Sequence, residues 1–275
     1  MLNPVWLTTF VTAAQSSSFT EAGRRLKLTQ STVSDHISRL EAAIGRRLFI
    51  RDTHSLALTP DGESMLIHAR LILEAHEKAK LHFAGPPLRG RIRLGSSDDM
   101  AMGRLPEVLA RFRRLHPEVE LDLTIGFTDD LLRQLDAGSL DLMTGKRRPG
   151  ETRGQRLYSE SLVWMGRDET VLAEPLSLVL LSEPSITRAV TLDSIARSQV
   201  RWRIACNSSS YAGCAAAARA GLGVTALPRH LSMPGLSPVH GLPPLPDIEY
   251  IAVIASDADK SALTLLRILE ESDLG

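Results

Sequence analysis

The segment from Ser18 to Leu58, SFTEAGRRLKLTQSTVSDHISRLEAAIGRRLFIRDTHSLAL, constrains the fold more tightly than any other part of the chain. Phe19, Ala22 and Leu26 recur at spacings of three and four, so they share one face of a short helix. The Lys27-Leu28 step interrupts that pattern. Thr29 opens a second helix, on which Val33, Ile37, Leu40 and Ile44 form a narrow apolar stripe at about 100° per residue. Ser31, Asp35 and Ser38 occupy the opposite face, flanked by Gln30, Thr32, Ser34 and His36. Two short helices with a brief joint, the second small and polar outside, describe a helix-turn-helix.

That outer face has the chemistry to read bases. Gln30 can pair with adenine through two hydrogen bonds, serine and threonine hydroxyls can meet either strand, and the Thr32 methyl can touch a thymine methyl. Each good bidentate contact discriminates by roughly 1–3 kcal/mol. Arg24, Arg25 and Lys27 precede the face, and Arg39, Arg46, Arg47 and Arg51 follow it. Such residues suit phosphate contacts, which position a protein without specifying sequence. An amphipathic helix pair with solvated charges is the plainer reading of the same pattern.

The stretch SFTEAGRRLKLTQSTVSDHISRLEAAIGRRLF resembles the DNA-binding segment of LysR-type transcriptional regulators. There SFT-x-AA is followed by LxxTQ and then by S-x-x-V/I-S-x-x-I-x-x-LE-x-x-LG-x-x-LF-x-R. Two positions depart from that pattern: Gly23 for a usual Ala, and Asp35 where a neutral or basic residue is commoner. An outward Asp35 repels phosphate but can accept from cytosine N4, which bears on the operator sequence. The resemblance implies DNA contacts from Arg25, Thr29, Gln30, Ser31, Thr32, Ser34, Asp35, His36, Ser38 and Arg39.

Pro4 to Gln15 reads as a helix supporting the pair, with Leu7, Phe10, Val11 and Ala14 inward. Arg47–Ile50 and Leu56–Leu58 read as two short strands, the wing of a winged helix. Arg51 and His54 at its turn are candidates for backbone or minor-groove contacts. Thr59-Pro60-Asp61 is a helix start, with a hydroxyl cap, Pro at the first position and an acid at the positive dipole end. From there Met65, Ala69, Ile72, His76, Ala79 and Phe83 are spaced 4-3-4-3-4, the seam of a coiled coil. In LysR-type proteins this helix pairs two subunits, so these six residues are the expected dimerisation contacts. A helix lying on its own domain is the alternative.

The expected division is a winged helix-turn-helix at 1–58, a linker helix at 59–84, a hinge at 85–90 and a further domain at 91–275. Charge follows that division: residues 1–90 carry a net +3 and the remainder −3, within a chain of 275 residues and net charge zero. A basic front half on an acidic back half suits a nucleic-acid module joined to a domain with another task.

Beyond Gly90 strands and helices alternate, which implies α/β architecture with parallel sheets and helices on both faces. GRIRLGSSD, PEVELDLTIG, LDLMTG and AGLGVTALP resemble successive landmarks of the LysR-type effector domain. That likeness implies two lobes of periplasmic-binding-protein type crossed by two connecting strands. Lobe one is then about 91–160 plus 235–275, and lobe two about 161–234.

Two strand-to-helix loops, Ser96-Ser97-Asp98-Asp99 and Asn207-Ser208-Ser209-Ser210, are rich in hydroxyls. Free N–H groups at the helix starts would face the strand C-termini, where open α/β folds bind ligands. Helix capping alone explains the same residues. The resemblance favours a small-molecule effector between the lobes, with contacts at Ser96, Ser97, Thr128, Asn207 and Ser208, and further ones at Thr144 and Arg147. Asp98 and Asp99 argue against a strongly anionic effector unless they cap their own helix. A neutral or zwitterionic ligand is the alternative, and the effector charge stays open.

Nothing in the sequence calls for an enzyme, a metal or a cofactor. The eight histidines show no tight pairing with cysteines or acids at metal-ligand spacing. There is no G-x-S-x-G elbow and no phosphate-binding loop. The opening residues lack a basic leader region and no apolar run approaches membrane-spanning length, so a cytoplasmic location is expected. Cys206 and Cys214 are then expected as reduced, small buried thiols rather than a redox pair.

These readings converge on a sequence-specific transcriptional regulator modulated by a small molecule. Its partners would be double-stranded DNA, the effector, further copies of the chain in a dimer or tetramer, and RNA polymerase; no membrane is involved. A ligand-independent architectural DNA binder and a solute-binding protein are the competing readings.

Overall fold

A computed structural model describes residues 2–16, 18–51, 56–83, 87–148, 150–167, 174–231 and 233–272. The chain divides into two compact units, Met1–Pro87 with Glu270–Gly275, and Leu88–Leu269.

In the first unit Asn3 starts α1 (Pro4–Ala14) by accepting a hydrogen bond from Val5 N at 2.8 Å. Ser18 does the same for α2 (Phe19–Leu26), accepting from Glu21 N at 3.1 Å. This helix ends at Lys27 in the left-handed conformation, φ 56°. The turn then draws in tightly, because a Cβ on Gly23 would stand 2.8 Å from Leu28 O. Glycine at this position is therefore matched to the close turn that follows it. Thr29 caps α3 (Gln30–Ile44), and Gly45 at φ 73° releases it.

The wing is a two-stranded antiparallel pair, β1 (Phe49–Arg51) and β2 (Leu56–Leu58), with Phe49 opposite Leu58. Leu7, Phe10, Ala22, Val33, Ile37, Leu40, Leu48 and Phe49 close one core beneath these elements. Phe10 and Phe19 both meet the Phe49 ring edge-on, with centroids 5.5 and 5.4 Å away. Helix α4 (Pro60–Phe83) begins where Thr59 Oγ1 accepts from Gly62 N at 2.9 Å and donates to Arg47 O at 2.7 Å.

Two of the six residues of the expected coiled-coil seam are corrected here. Met65 and Ala69 are buried in the winged-helix core itself, so a second chain cannot reach them. Ile72, His76, Ala79 and Phe83 remain exposed, and Ile67 and Leu71 are exposed with them. The 4-3 spacing marks an apolar face without saying what covers it.

The second unit begins with β3 (Gly90–Ser96), α5 (Asp98–Met102), α6 (Leu105–Leu115), β4 (Val119–Ile125), α7 (Thr128–Asp136) and β5 (Leu142–Arg147). The long strand β6 (Gln155–Gly166) follows, then β7 (Leu176–Leu181), α8 (Ile186–Ala196), β8 (Trp202–Ser208), α9 (Tyr211–Arg219), β9 (Thr225–Pro228), β10 (Ser237–Pro238), β11 (Asp247–Ile254) and α10 (Lys260–Ser272). The seven-stranded sheet has the order β10-β6-β11-β5-β3-β4, with β9 also on β6. It is mixed, not parallel. Helical crossovers make β3 parallel to both β4 and β5, whereas β11 lies antiparallel between β5 and β6. No helix separates β9 from β11 to supply another crossover.

Strand β6 belongs to two lobes. Its first part pairs with β11 in lobe one, and Leu162–Met165 pair with β9 in lobe two. Parallel β7 and β8 complete lobe two, joined to it where Val179 N donates to Val224 O at 2.8 Å. The expected second connecting strand is corrected: residues 239–246, on the way from β10 to β11, form no strand. Pro243, Pro244 and Pro246 lack the donors a ladder needs. Side chains fix the segment instead, Trp164 Nε1 donating to Pro243 O at 2.7 Å and Ser194 Oγ to Pro244 O at 2.6 Å. No helix among the described residues is long and apolar enough to cross a membrane.

Candidate nucleic-acid interface and candidate ligand cleft

Helix α3 presents its amino-terminal half outward. Gln30, Ser31, Asp35, Ser38 and Arg39 are exposed, Thr32 and Ser34 are half-buried, and the Val33–Ile37–Leu40 stripe is sealed in the core. Asp35 does not stand alone, because its carboxylate pairs with Arg39 Nε at 2.8 Å on the next turn. The repulsive charge anticipated from the sequence is thus offset by an adjacent cation. Arg25 is half-buried, and its Nε is held by Glu21 at 3.2 Å.

Two expected base or phosphate contacts have other work. Thr29 is the α3 cap: its Oγ1 accepts from Thr32 N at 3.2 Å and lies 2.8 Å from the Ser31 hydroxyl. His36 turns inward, its Nδ1 bonded to Thr9 Oγ1 at 2.9 Å, and so braces α3 against α1. Arg51 closes β1, and His54 lies outside the described residues.

Glu41 was not singled out from the sequence. It is almost fully buried on α3, and its Oε1 accepts from Leu48 N at 2.8 Å and Phe49 N at 3.4 Å. One carboxylate therefore ties α3 to the first strand of the wing. The Leu-Glu pair inside an otherwise apolar stripe was the available signal.

In the second unit the hydroxyl-rich loops do converge, but around groups that sequence reasoning passed over. Lys146, near the end of β5, is buried and donates from Nζ to Asp99 Oδ2 at 3.0 Å, Tyr211 OH at 2.9 Å and Thr187 Oγ1 at 3.4 Å. The Tyr250 hydroxyl also donates to Asp99 Oδ2. Tyr211 OH and Thr187 Oγ1 are 2.7 Å apart. Asp98, beside Asp99, accepts from the Tyr211 backbone N at 2.8 Å. Lys146, Asp98, Asp99 and Tyr250 come from lobe one, and Thr187 and Tyr211 from lobe two. The polar contacts span the boundary.

Burial alone would raise the Asp99 carboxyl, but the Lys146 ammonium and the Tyr250 hydroxyl outweigh it and hold Asp99 below the usual carboxylate range. Burial likewise opposes charge on Lys146, and Asp99 and Tyr211 reverse that, raising the ammonium above its ordinary value. Tyr211 is pushed up to about 12 by burial. The pair is therefore ionised across the physiological range.

A second polar contact adjoins the first. His230 N and Nδ1 both reach the Glu160 carboxylate at 2.6 Å, and Nε2 lies 3.3 Å from Asp99 O. Burial lowers the imidazole, but Glu160 raises it further, so the net shift is upward. Gly103 makes room for this ring, since a Cβ there would stand 2.6 Å from His230 Nε2.

The expected effector contacts separate on inspection. Thr144 Oγ1 donates to Ser96 Oγ at 2.9 Å, both fully buried, so each satisfies the other. Thr128 Oγ1 accepts from Lys146 N at 2.9 Å and braces α7 on β5. Asn207 Oδ1 accepts from Arg188 Nη1 at 2.7 Å, and Ser208 closes a local turn with Ser210. Arg147 is corrected: it faces the other side of β5, bound to Glu249 at 2.7 Å and to the carbonyls of Arg153 and Gly154. Period two places Lys146 on the Thr144 face, which was the signal for the right cation. Ser97 Oγ is buried and makes no hydrogen bond of ordinary geometry, though it lies near enough to Asp99 to help hold that carboxyl low.

Cys214 is buried, its thiol pushed up to about 11 by burial, and Cys206 is half-buried; both are free thiols. Among the described residues no group of three His, Cys, Asp or Glu side chains could hold a metal ion.

Both units match known families. Residues 5–63 match the bacterial regulatory helix-turn-helix protein, lysR family, and residues 86–272 match the LysR substrate binding domain. The HTH-type transcriptional regulator DgdR of Burkholderia cepacia is 32% identical over 247 residues, 88% of this chain and 84% of that protein. The crystal structure of HinK, a LysR family transcriptional regulator from Pseudomonas aeruginosa, superimposes with a TM-score of 0.56 at 23% identity, covering 100% of this chain and 99% of that one. CbnR, solved in complex with its target DNA, gives a TM-score of 0.53 at 19% identity over 99% of this chain and 100% of that one. A helix-turn-helix on a winged core followed by a two-lobed α/β domain is thus matched by family models across nearly the whole sequence, and the chain is a member of the LysR family of transcriptional regulators.

Proposed function

We propose that α3 enters the major groove and reads bases through Gln30, Ser31, Thr32, Ser34 and Ser38, with Arg39 and Arg25 near phosphates and Asp35 tempering the charge of Arg39. The observation that carries this reading is the division of α3 itself, with an apolar stripe sealed in the winged core and a small polar face left open. The exposed part of α4, with Ile72, His76, Ala79 and Phe83 alongside Ile67 and Leu71, pairs two copies of the chain, and pairs of dimers give a tetramer. Paired reading helices then address half-sites about one helical turn apart or a multiple of it.

A small molecule bound at the lobe boundary changes the relation between paired DNA-binding units, and RNA polymerase reads the result in the cytoplasm. No chemistry is performed on the ligand. The test is a footprint of the full-length chain on the region upstream of a neighbouring gene, repeated with Gln30→Ala. Protection of two half-sites that weakens with the substitution supports the reading. Unchanged protection, or protection without sequence preference, removes α3 as the reader.

A further inference from the structure

We propose that the small molecule sensed by this chain carries a protonated amine or another N–H donor, and that Ser97 and Asp99 anchor it. The inference rests on the reading of the lobe boundary as the ligand site and adds the ligand's chemical class.

Unmet acceptors supply the first observation. Ser97 Oγ and Asp99 Oδ1 are buried, on residues that are 3% and 0% exposed, and make no hydrogen bond of ordinary geometry, although Ser97 lies near enough to Asp99 to help hold its carboxyl low. An ionised carboxylate oxygen can only accept, and leaving it unmet in the interior is costly. A ligand N–H directed at it removes that cost.

The second observation is that the donors beside Asp99, Lys146 Nζ and Tyr211 N, are already taken. Lys146 is held by Asp99. The first-turn amide of α9, Tyr211 N, is taken by Asp98 from the other lobe. Farther along lobe two, Arg188 Nη1 donates to Asn207 Oδ1 and Leu181 O, while its buried Nε makes no hydrogen bond and lies 3.4 Å from Glu183. A carboxylate ligand beside Asp99 would have to displace the protein's own acceptors from Lys146 and Tyr211 N.

Charge balance is the third. Asp98 and Asp99 set two carboxylates against the single Lys146 ammonium, so a cation offsets the excess and another anion adds to it. In a low-dielectric interior an uncompensated charge is strongly disfavoured. The Asp98–Tyr211 and Lys146–Tyr211 bonds join the two lobes through the neighbours of these anchors. Occupancy is thereby coupled to the arrangement of the lobes.

The test uses the full chain, titrated by calorimetry and thermal melting with proteinogenic α-amino acids and short primary alkylamines. The corresponding carboxylic acids without the amine serve as matched probes. At least one amine-bearing probe is expected to bind and raise Tm while its deaminated counterpart does neither. Ser97→Ala, which leaves the Asp99–Lys146 pair intact, should weaken that binding roughly tenfold, the loss of one charge-assisted hydrogen bond. Asp99→Asn should abolish it, and Ser97→Ala still decides the matter if Asp99→Asn does not fold.

Binding by a deaminated acid as tight as by the amine overturns the proposal, as does amine binding unchanged in Ser97→Ala or the failure of every amine to bind. Hydrogen exchange separates the two levels. A carboxylic acid that protects α5 and the first turn of α9 overturns the amine and leaves the cleft standing. An amine that protects other elements overturns the cleft itself.

Discussion

The chain holds two polar clusters built on opposite plans. On α3, Gln30, Ser31 and Ser38 stand in water over an apolar stripe, and their value lies in being uncommitted. At the lobe boundary, Lys146, Asp99, Tyr211, Thr187 and Tyr250 are withdrawn from water and nearly every polar atom is bonded to another. A surface proposed to meet many DNA sequences and select one keeps its donors available. A buried cluster that holds two lobes together spends them. The expected consequence is a separation of effects: substitutions on α3 change binding with little change in stability, and substitutions at the boundary do the reverse.

The most severe challenge to that separation is Lys146→Ala. Removing one partner of a buried ion pair leaves Asp99 uncompensated and should lower stability by about 3–5 kcal/mol. Urea unfolding followed by circular dichroism measures it, and a loss below about 1 kcal/mol would mean the pair is open to water. On the other side, Gln30→Ala should cost about 1–3 kcal/mol of binding to an operator selected from random DNA, with unfolding unchanged within about 0.5 kcal/mol. Fluorescence anisotropy reads the first quantity and urea the second.

His230→Gln sharpens the boundary side. The folded imidazole titrates above its ordinary value of 6.5, so its pairing with Glu160 stabilises fully below that pH. The contribution fades as pH rises through the raised value. The Tm difference between the native chain and His230→Gln should therefore be largest in mild acid, corresponding to about 1 kcal/mol, and shrink toward alkaline pH. A difference that grew with pH would reverse the assigned sign. The smallest effect is expected from Asp35→Ser. It releases Arg39 from an exposed pair worth a few tenths of a kcal/mol in stability. The freed guanidinium should instead steepen the salt dependence of DNA binding by about one unit of slope.

The winged unit was almost fully legible in the sequence, because each of its elements is announced locally. Ser18, Thr29 and Thr59 are hydroxyl caps, Gly45 is a left-handed stop, and the α3 stripe has a clean helical period. What escaped was whatever depended on a distant partner. Met65 and Ala69 carry the same spacing whether the covering surface is their own domain or another chain. Gln155–Ser161 did not read as strand, since Glu160 is polar for the sake of His230, seventy positions away. Lys146 was passed over in the sequence, and only the folded sheet shows it beside two tyrosines and an aspartate. Sheet direction was also hidden, because a strand's own sequence does not record which neighbour inserts beside it.

Glu41 has one more consequence. Its buried carboxylate spans from α3 to the backbone of Leu48 and Phe49, so the helix proposed to read DNA and the wing are tied into one jaw. Such a jaw can tilt over the double helix but cannot open or close upon it. Operator preference can then drift freely through the exposed tips of the side chains. The distance between the proposed major-groove and flanking-backbone contacts stays set, as in a gauge cut to one width.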